Sequence, residues 1–590
     1  MTNILFFDIG IVLIIATAIA YLAKLIRQPL IPAYILTGVI LGPVLGLITN
    51  TEVINILSEI GIAFLLFIVG LEIDIKRLTN VALISSLGGF IRAVMLFTAG
   101  FVIALTLGFI PVEAIYIGLV LAFSSTMIVV KLLSDKRELD TLHARIIVGI
   151  LLMEDFLAIV ALAMLSTPVL SILSIFMALV KVVFIILIAL VLSKFFFPYV
   201  FKYAAKVQEL LFLAAISVLF FFSVLSKYVG VILVFCLERF VDPSIIHMLE
   251  PGLSIIIGAF VGGVVLANMP YSYEIIGRVT PLRDFFATIF FVSLGMGLLV
   301  SHVKIIIVPL VIFLLFVFLL KPFVTMFLCS FFGYKKRPSF LTSLSLAQVS
   351  EFSLIIVTQG YIMGQVSGII MSFTVLLTVI TMIVTAYLIQ FDEKIYNLLS
   401  KKLSIFEKIG NTSSNLEFMP KRIKTKVILV GYNRIGYSIY NKLKKLRKKS
   451  LVVDFNPEVI KELIKKKIPC LYGDIGDREI LERLDFRDVE MVISTVPEKI
   501  DNLRLLKLVK EVNKKALVVV TANHVEDALD LYDEGADYVV LPHFLGGEHV
   551  SLLIEETSAD LNRMIEKKLS HIKELKKRKA MGHRHPSHHD

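Results

Sequence analysis

An acidic doublet, Glu154–Asp155, sits at the centre of the apolar run ILLMEDFLAIV (150–160). A charge held at mid-depth in a bilayer costs roughly 2.5–3.5 kcal/mol on insertion scales, so buried charges in such runs are expected to have a task. Neighbouring residues on a helix point about 100° apart, and both carboxylates can line the edge of one cavity without facing each other squarely. Two carboxylates in a poorly hydrated site cannot both ionise freely. Such a pair can hold a cation when deprotonated and release it when protonated. The competing reading is a static ion network with Arg92, Lys181 or Lys321.

Two polar interruptions accompany the doublet. One is Ser124–Ser125–Thr126 in LAFSSTMIVV, and the other comprises Ser343, Ser345, Gln348, Ser350 and Glu351 in LTSLSLAQVSEFSLII. An isolated hydroxyl in an apolar helix usually bonds back to its own backbone. Two interrupted runs at corresponding places suggest broken helices, which expose carbonyls and helix ends to an ion near the midplane. Lys321, within LLFVFLLKPFVTMF, has long apolar stretches on both sides and cannot simply snorkel to an interface. It is expected to pair with Glu154 or Asp155 and to be displaced when a cation arrives. Glu59, Arg92, Lys181 and Lys227 are the other charges to be explained within apolar runs.

The elements that must position these residues follow from composition. The chain has 590 residues, 57% hydrophobic and 18% charged, with a mean hydropathy of +0.86. A soluble enzyme, a disordered chain and a disulfide-rich secreted protein are excluded. The three cysteines form no metal-ligand spacing. Runs of about 20 apolar residues predict thirteen spans, near 4–24, 30–49, 53–72, 81–108, 112–133, 143–166, 169–193, 208–237, 252–268, 281–300, 303–332, 338–360 and 366–391. The first has no basic residue before Lys24 and does not look like a cleavable signal. Sixteen Lys and Arg residues fall in the loops on one side, against Arg239 and Lys304 on the other. The basic side is expected to be cytoplasmic, which places the N-terminus outside and everything after 391 inside. The interrupted spans are the fifth and twelfth, so spans 1–6 and 8–13 read as inverted repeats with span 7 as linker. The fold class expected is an α-helical polytopic membrane domain of about 13 spans, with two broken crossing helices, followed by a cytoplasmic α/β Rossmann-like domain.

The expected domains are 1–391 in the membrane, a linker over 392–422, an α/β domain over 423–556, and a basic helix with a His-rich tail over 557–590. In KVILVGYNRIGYSIYNKL an apolar strand runs into a glycine turn and a helix, and a second strand ends in Asp454. Strands alternating with helices indicate a doubly wound parallel sheet. Gly431 and Gly436 suit a phosphate-binding turn at a helix N-terminus, and Asp454 an adenosine ribose. Asn433 stands where the second glycine of the fingerprint belongs, and Arg434 could supply charge to a phosphate. The pattern favours an adenine nucleotide over a committed dinucleotide. No Cys, His or Ser constellation beside the turn would perform redox chemistry, so an enzyme is not expected. The four tail histidines (His583, His585, His588, His589) suit a solvated tail better than a metal site, and the basic run KLKKLRKK suits a solvated face near anionic lipid. Nucleic acid is not implied.

Several ordered motifs then carry a resemblance: GVILGP (38–43), SEIGIAFLLFIVGLEID (58–74), AFSSTMIVV (122–130), FFVSLGMGL (290–298) and LAQVSEFSLII (346–356). They resemble the Kef-type monovalent cation:proton antiporters of the sodium/proton exchanger superfamily. The resemblance implies that Asp155 is the cation- and proton-binding aspartate, with Glu154 at the preceding doublet position. It also implies that Ser125 and Thr126 lie at the unwound crossing, and that Lys321 is the basic residue of the core. Residues 424–556, including YGDIGD (472–477), resemble the potassium-transport nucleotide-binding regulatory module. That implies a homodimer binding AMP, ATP or NAD(H), with Gly473 and Asp474 near the nucleotide. The expected activity is exchange of K+ or Na+ for H+ across the plasma membrane, the alternative being a nucleotide-gated cation channel. Potassium-efflux members commonly have Gln–Asp at the doublet, whereas Glu–Asp here is closer to the Asp–Asp of electrogenic sodium exchangers. The ion and the charge stoichiometry therefore stay open, and 228–250 looks longer than the usual connection.

Overall fold

The computed structural model describes residues 2–48, 52–72, 84–136, 138, 141–165, 172–237, 252–267, 269–299, 303–403, 406, 417–418, 425–432, 435–476, 478–542, 544–545 and 551. The expected long connection from residue 238 onward, the 411–415 linker motif, Asn433, Arg434 and the histidine tail lie outside them. The chain divides into two compact units, Met1–Phe332 with Pro338–Leu403, and Gly333–Arg337 with Ser404–Asp590.

The first unit is helical: α1 (Thr2–Leu25), α2 (Leu30–Val39), α3 (Glu52–Glu72), α4 (Gly89–Thr106), α5 (Pro111–Ala122), α6 (Thr126–Asp135), α7 (Leu142–Leu165), α8 (Ile172–Phe195), α9 (Phe197–Ala204), α10 (Gln208–Leu237), α11 (Ile255–Ala267), α12 (Ser272–Met296), α13 (Val303–Leu315), α14 (Lys321–Phe331), α15 (Lys336–Ser345), α16 (Glu351–Ile362), α17 (Gly368–Gln390) and α18 (Asp392–Leu403). The long helices carry apolar side chains on nearly all sides, as contact with lipid requires, and satisfy their own backbones, whereas α18 (DEKIYNLLSKKL) is amphipathic. Among the described residues, ten helices are long and apolar enough to cross a membrane. By length, ten of the thirteen expected spans are matched by such helices, and the other three fall on shorter or broken ones. Leu30–Val44 and Ile255–Ala267 are short, and the expected twelfth span is split between α15 and α16. Residues 392–403, inside the stretch expected as linker, form a helix of this unit.

Two glycine contacts show how the halves are related. A Cβ on Gly38 of α2 would come within 2.9 Å of the Gly295 Cα in α12, and one on Gly295 within 3.0 Å of the Gly38 Cα. Gly70 of α3 and Gly263 of α11 meet in the same reciprocal way, at 3.1 and 3.0 Å. Small residues let helix backbones touch where no hydrophobic effect drives them together. Exchanging the first six expected spans with the last six turns the α2–α12 crossing into the α11–α3 crossing. The inverted repeat is therefore visible in the packing although the two halves share little sequence.

The second unit holds a seven-stranded sheet in the order β1-β4-β3-β2-β5-β6-β7. The strands are β1 (Glu417–Phe418), β2 (Val427–Val430), β3 (Ser450–Asp454), β4 (Cys470–Tyr472), β5 (Met491–Ser494), β6 (Leu517–Thr521) and β7 (Tyr538–Val540). Among the described residues only the β1–β4 pairing is antiparallel. Strands β2 and β3 are buried along their whole length, as expected when helices cover both faces of a parallel sheet. The chain winds one way from β2 to β4 and the other way from β5 to β7. The switch point between β2 and β5 opens a crevice at the carboxyl ends of the strands.

Candidate ion site and nucleotide cleft

The polar interruptions are breaks in helices. α5 stops at Ala122, Phe123 and Ser125 are extended, and α6 starts at Thr126 with the Ser125 hydroxyl accepting from the Ile128 amide at 3.4 Å. α15 stops at Ser345, and α16 starts at Glu351 with Ser350 capping the Phe352 amide at 3.1 Å. Serine at these positions takes up an amide that the helix leaves unpaired. The two breaks cross. Gln348 Nε2 donates to the Ser125 carbonyl at 3.2 Å, and the Ser124 hydroxyl donates to the Leu346 carbonyl at 3.1 Å.

Two cations hold the crossing. Lys321 Nζ donates to the Phe123 carbonyl at 2.8 Å and to the Gln348 carbonyl at 2.6 Å, with its side chain completely buried. It thereby binds a carbonyl in each break, next to where each first half-helix ends and where the helix dipole is negative. A π-helical turn, Phe316–Leu320, precedes Lys321, and Pro322 follows it. Proline cannot donate to the preceding turn, and the widened turn absorbs that loss. Arg92 of α4 spreads its guanidinium over four partners: the Thr325 hydroxyl at 2.8 Å, the Ser124 hydroxyl at 3.3 Å, the Leu346 carbonyl at 3.4 Å, and the Glu154 carboxylate. Arg92 and Lys321 belong to the fourth and eleventh expected spans, which the repeat exchanges.

The doublet is divided between two environments. Glu154 is fully buried, paired with Arg92, and accepts the Ser124 amide at 2.9 Å. Asp155 is half-buried and accepts the Thr126 hydroxyl at 2.8 Å. Thr126 opens α6, so the aspartate sits at a half-helix N-terminus, where the dipole favours an anion. The expectation that Lys321 faces a carboxylate is corrected by these contacts: the lysine binds backbone carbonyls, and Glu154 has Arg92 instead. The static-network reading thus describes Glu154 and not Asp155. Lys181 is buried, whereas Glu59 and Lys227 are exposed.

In the second unit the glycine turn follows β2. Gly431 has φ +81°, a conformation that a side chain rarely adopts. A Cβ on Gly436 would overlap the Gly431 carbonyl. The first and third fingerprint glycines therefore do what the motif requires, the tight turn and the close strand–helix approach. They lead into α19 (Ile435–Lys445). Asp454 holds this turn, accepting the Tyr432 amide on Oδ2 and the Asn456 amide on Oδ1, each at 2.8 Å. The Gly473 amide bonds to the Asp454 carbonyl at 3.0 Å. Asp474 accepts from the Gly476 amide at 2.9 Å. The arrangement fits an adenine nucleotide: Gly431, Gly436 and Asp454 would take its phosphate and ribose.

Residues 11–235 and 245–391 match the transmembrane sodium/hydrogen exchanger family, more than half of the chain. The chain belongs to that family. Residues 427–542 match the TrkA-N domain. The chain is 24% identical over 547 residues to the putative cation/proton antiporter YbaL of Escherichia coli K12, covering 90% of this chain and 93% of YbaL. It is 26% identical to the glutathione-regulated potassium-efflux system protein KefC of Cronobacter sakazakii, covering 85% of this chain and 77% of KefC. It is 30% identical to the probable Na(+)/H(+) antiporter GerT of Bacillus cereus over 49% of this chain and 73% of GerT. As a sodium/hydrogen exchanger family member it is a multi-pass membrane protein carrying a TrkA-N domain.

Two residues of this exchanger's site gain their importance only from the structure. Arg92 is a single basic residue in an apolar run, with no local signal beyond its cost. Thr325 lies four residues beyond Lys321, on the same helix face, and supplies the hydroxyl that Arg92 binds.

Proposed function

We propose that the protein exchanges a monovalent cation, K+ or Na+, for H+ across the plasma membrane, with Asp155 as the group for which cation and proton compete. The observation that carries this reading is the crossing of two half-helices beside a partly accessible aspartate, whose hydroxyl partner Thr126 is a second oxygen ligand. Hard oxygen donors suit alkali cations. Arg92 and Lys321 neutralise the Glu154 charge and the carbonyl ends, so within the doublet Asp155 is the carboxylate left to exchange. The names of KefC and GerT support both ions as substrates and do not choose between them. A channel is less well supported, because the crossing is closed around side chains rather than lined by a carbonyl filter.

The second unit is proposed to bind AMP, ATP or NAD(H) at the Gly431 turn and to shift the transport equilibrium. A ligand does so only through different affinities for the two states. A homodimer is the assembly we propose, with the N-terminus outside and the TrkA-N domain in the cytoplasm, in keeping with the basic loops. Uptake of radiolabelled sodium or rubidium into proteoliposomes tests the transport reading. Antiport predicts uptake driven by an outward-directed proton gradient and accompanied by proton exit. A leak of cation without protons would contradict it.

A further inference from the structure

Glu351 is the first residue of α16 and is buried to 1% exposure. Its carboxylate accepts from the Ser125 hydroxyl and the Met127 amide. It therefore reaches across the crossing to the start of α6, the same half-helix end that holds Thr126. Among the described residues, one of its oxygens, Oε2, has no hydrogen-bond partner although it is buried, and the same holds for Gln348 Oε1 three residues earlier. An unpartnered buried acceptor is costly, and more so when charged, so two of them at one crossing call for a donor or a cation. By contrast, Glu154 is engaged by Arg92 and the Ser124 amide.

We infer that Glu351, and not Glu154, is the second acidic ligand of the transported cation. Its Oε2 joins Asp155 and the Thr126 hydroxyl, and Gln348 Oε1 completes an all-oxygen cradle. The charges agree with this assignment. Two half-helix N-termini contribute about half a positive charge each, which with one monovalent cation balances two carboxylates. This inference rests on the proposed transport at Asp155 and names the ligand that sets its affinity.

The test uses the full-length protein, with sodium and potassium chloride as probes and choline chloride as control. Two quantities are read for wild type, Glu351→Gln and Glu351→Asp: the cation KM in proteoliposomes, and the cation-dependent rise in melting temperature in detergent. Glu351→Gln is expected to raise KM about tenfold or more, the loss of one charged ligand, and to abolish most of the stabilisation by cation. Glu351→Asp should recover part of both, and it also serves if the glutamine variant does not fold. Wild-type KM and wild-type stabilisation in Glu351→Gln would overturn the inference and leave Glu351 as a cap on α6. Failure of the wild-type protein to exchange cation for protons would instead overturn the transport reading, and cation stabilisation of the folded protein would still report on the ligand.

Discussion

Arg92 and Glu154 form an ion pair with both side chains fully shielded from solvent, 62 residues apart in sequence. Removing one partner of a buried pair leaves an uncompensated charge and costs about 3–5 kcal/mol, whereas replacing both is often close to neutral. Glu154→Gln or Arg92→Gln alone should therefore lower the melting temperature sharply. The double substitution should recover most of the loss, with a coupling that a double-mutant cycle measures. Additive losses would show that the two side chains do not depend on each other.

Lys321 has a different role from the one its position suggests. Its two bonds join Phe123 and Gln348, one carbonyl from each break. Lys321→Met should leave two buried carbonyls without a donor and cost roughly 2–4 kcal/mol. Lys321→Arg should retain part of that stability because it keeps the charge. Thermal unfolding in detergent, compared across the three proteins, checks the order wild type, arginine, methionine.

How much of this was legible beforehand follows from particular residues. The doublet, both polar interruptions and Lys321 stand out in apolar runs, because charge and hydroxyls are costly there. The doublet's division was half legible: a 100° offset between neighbours allows two environments, but only the fold brings Arg92 to one of them. The lysine's partners were hidden because a sequence shows side chains and not which backbone carbonyls a break will bare. Where an expected span is not one long helix, the reason is related. Apolar runs do not reveal that α2 and α11 are short, or that 346–350 is unwound. The glycines of α2, α3 and α12 were visible as motif letters, and their reciprocal contacts appear only when the halves are packed.

In the second unit, Gly436→Ala would place a Cβ on the Gly431 carbonyl. The strand and α19 would have to separate, and a phosphate-binding turn would lose its shape. Overpacking of this kind costs about 1–3 kcal/mol. Nucleotide affinity, titrated calorimetrically with AMP, ATP and NADH on the full-length protein, should fall at least about tenfold, as one such kcal/mol-scale loss implies. Unchanged affinity would place the nucleotide elsewhere.

Glu498 makes this unit sensitive to pH. Burial pushes its carboxyl up to about 7, the Asp501 and Asp474 carboxylates add to the rise, and Arg337 opposes it. The ordinary value is 4.5, so the folded state binds this proton more tightly than the unfolded state does. Stability from this group is full below about 4.5, declines as pH rises through about 7, and is level above. Glu498→Gln should flatten that part of the profile in melting experiments between pH 5 and 8. A profile of unchanged slope would assign the pH dependence to another group.

The central claim is that cation and proton compete at Asp155. The most direct measurement compares wild type with Asp155→Asn in proteoliposomes holding a trapped pH dye, with sodium or potassium added outside. Wild type is predicted to move protons outward on addition of cation, and Asp155→Asn to fall to the level of empty liposomes while its melting temperature shows that it is folded. Cation-driven proton movement retained by Asp155→Asn would contradict the account.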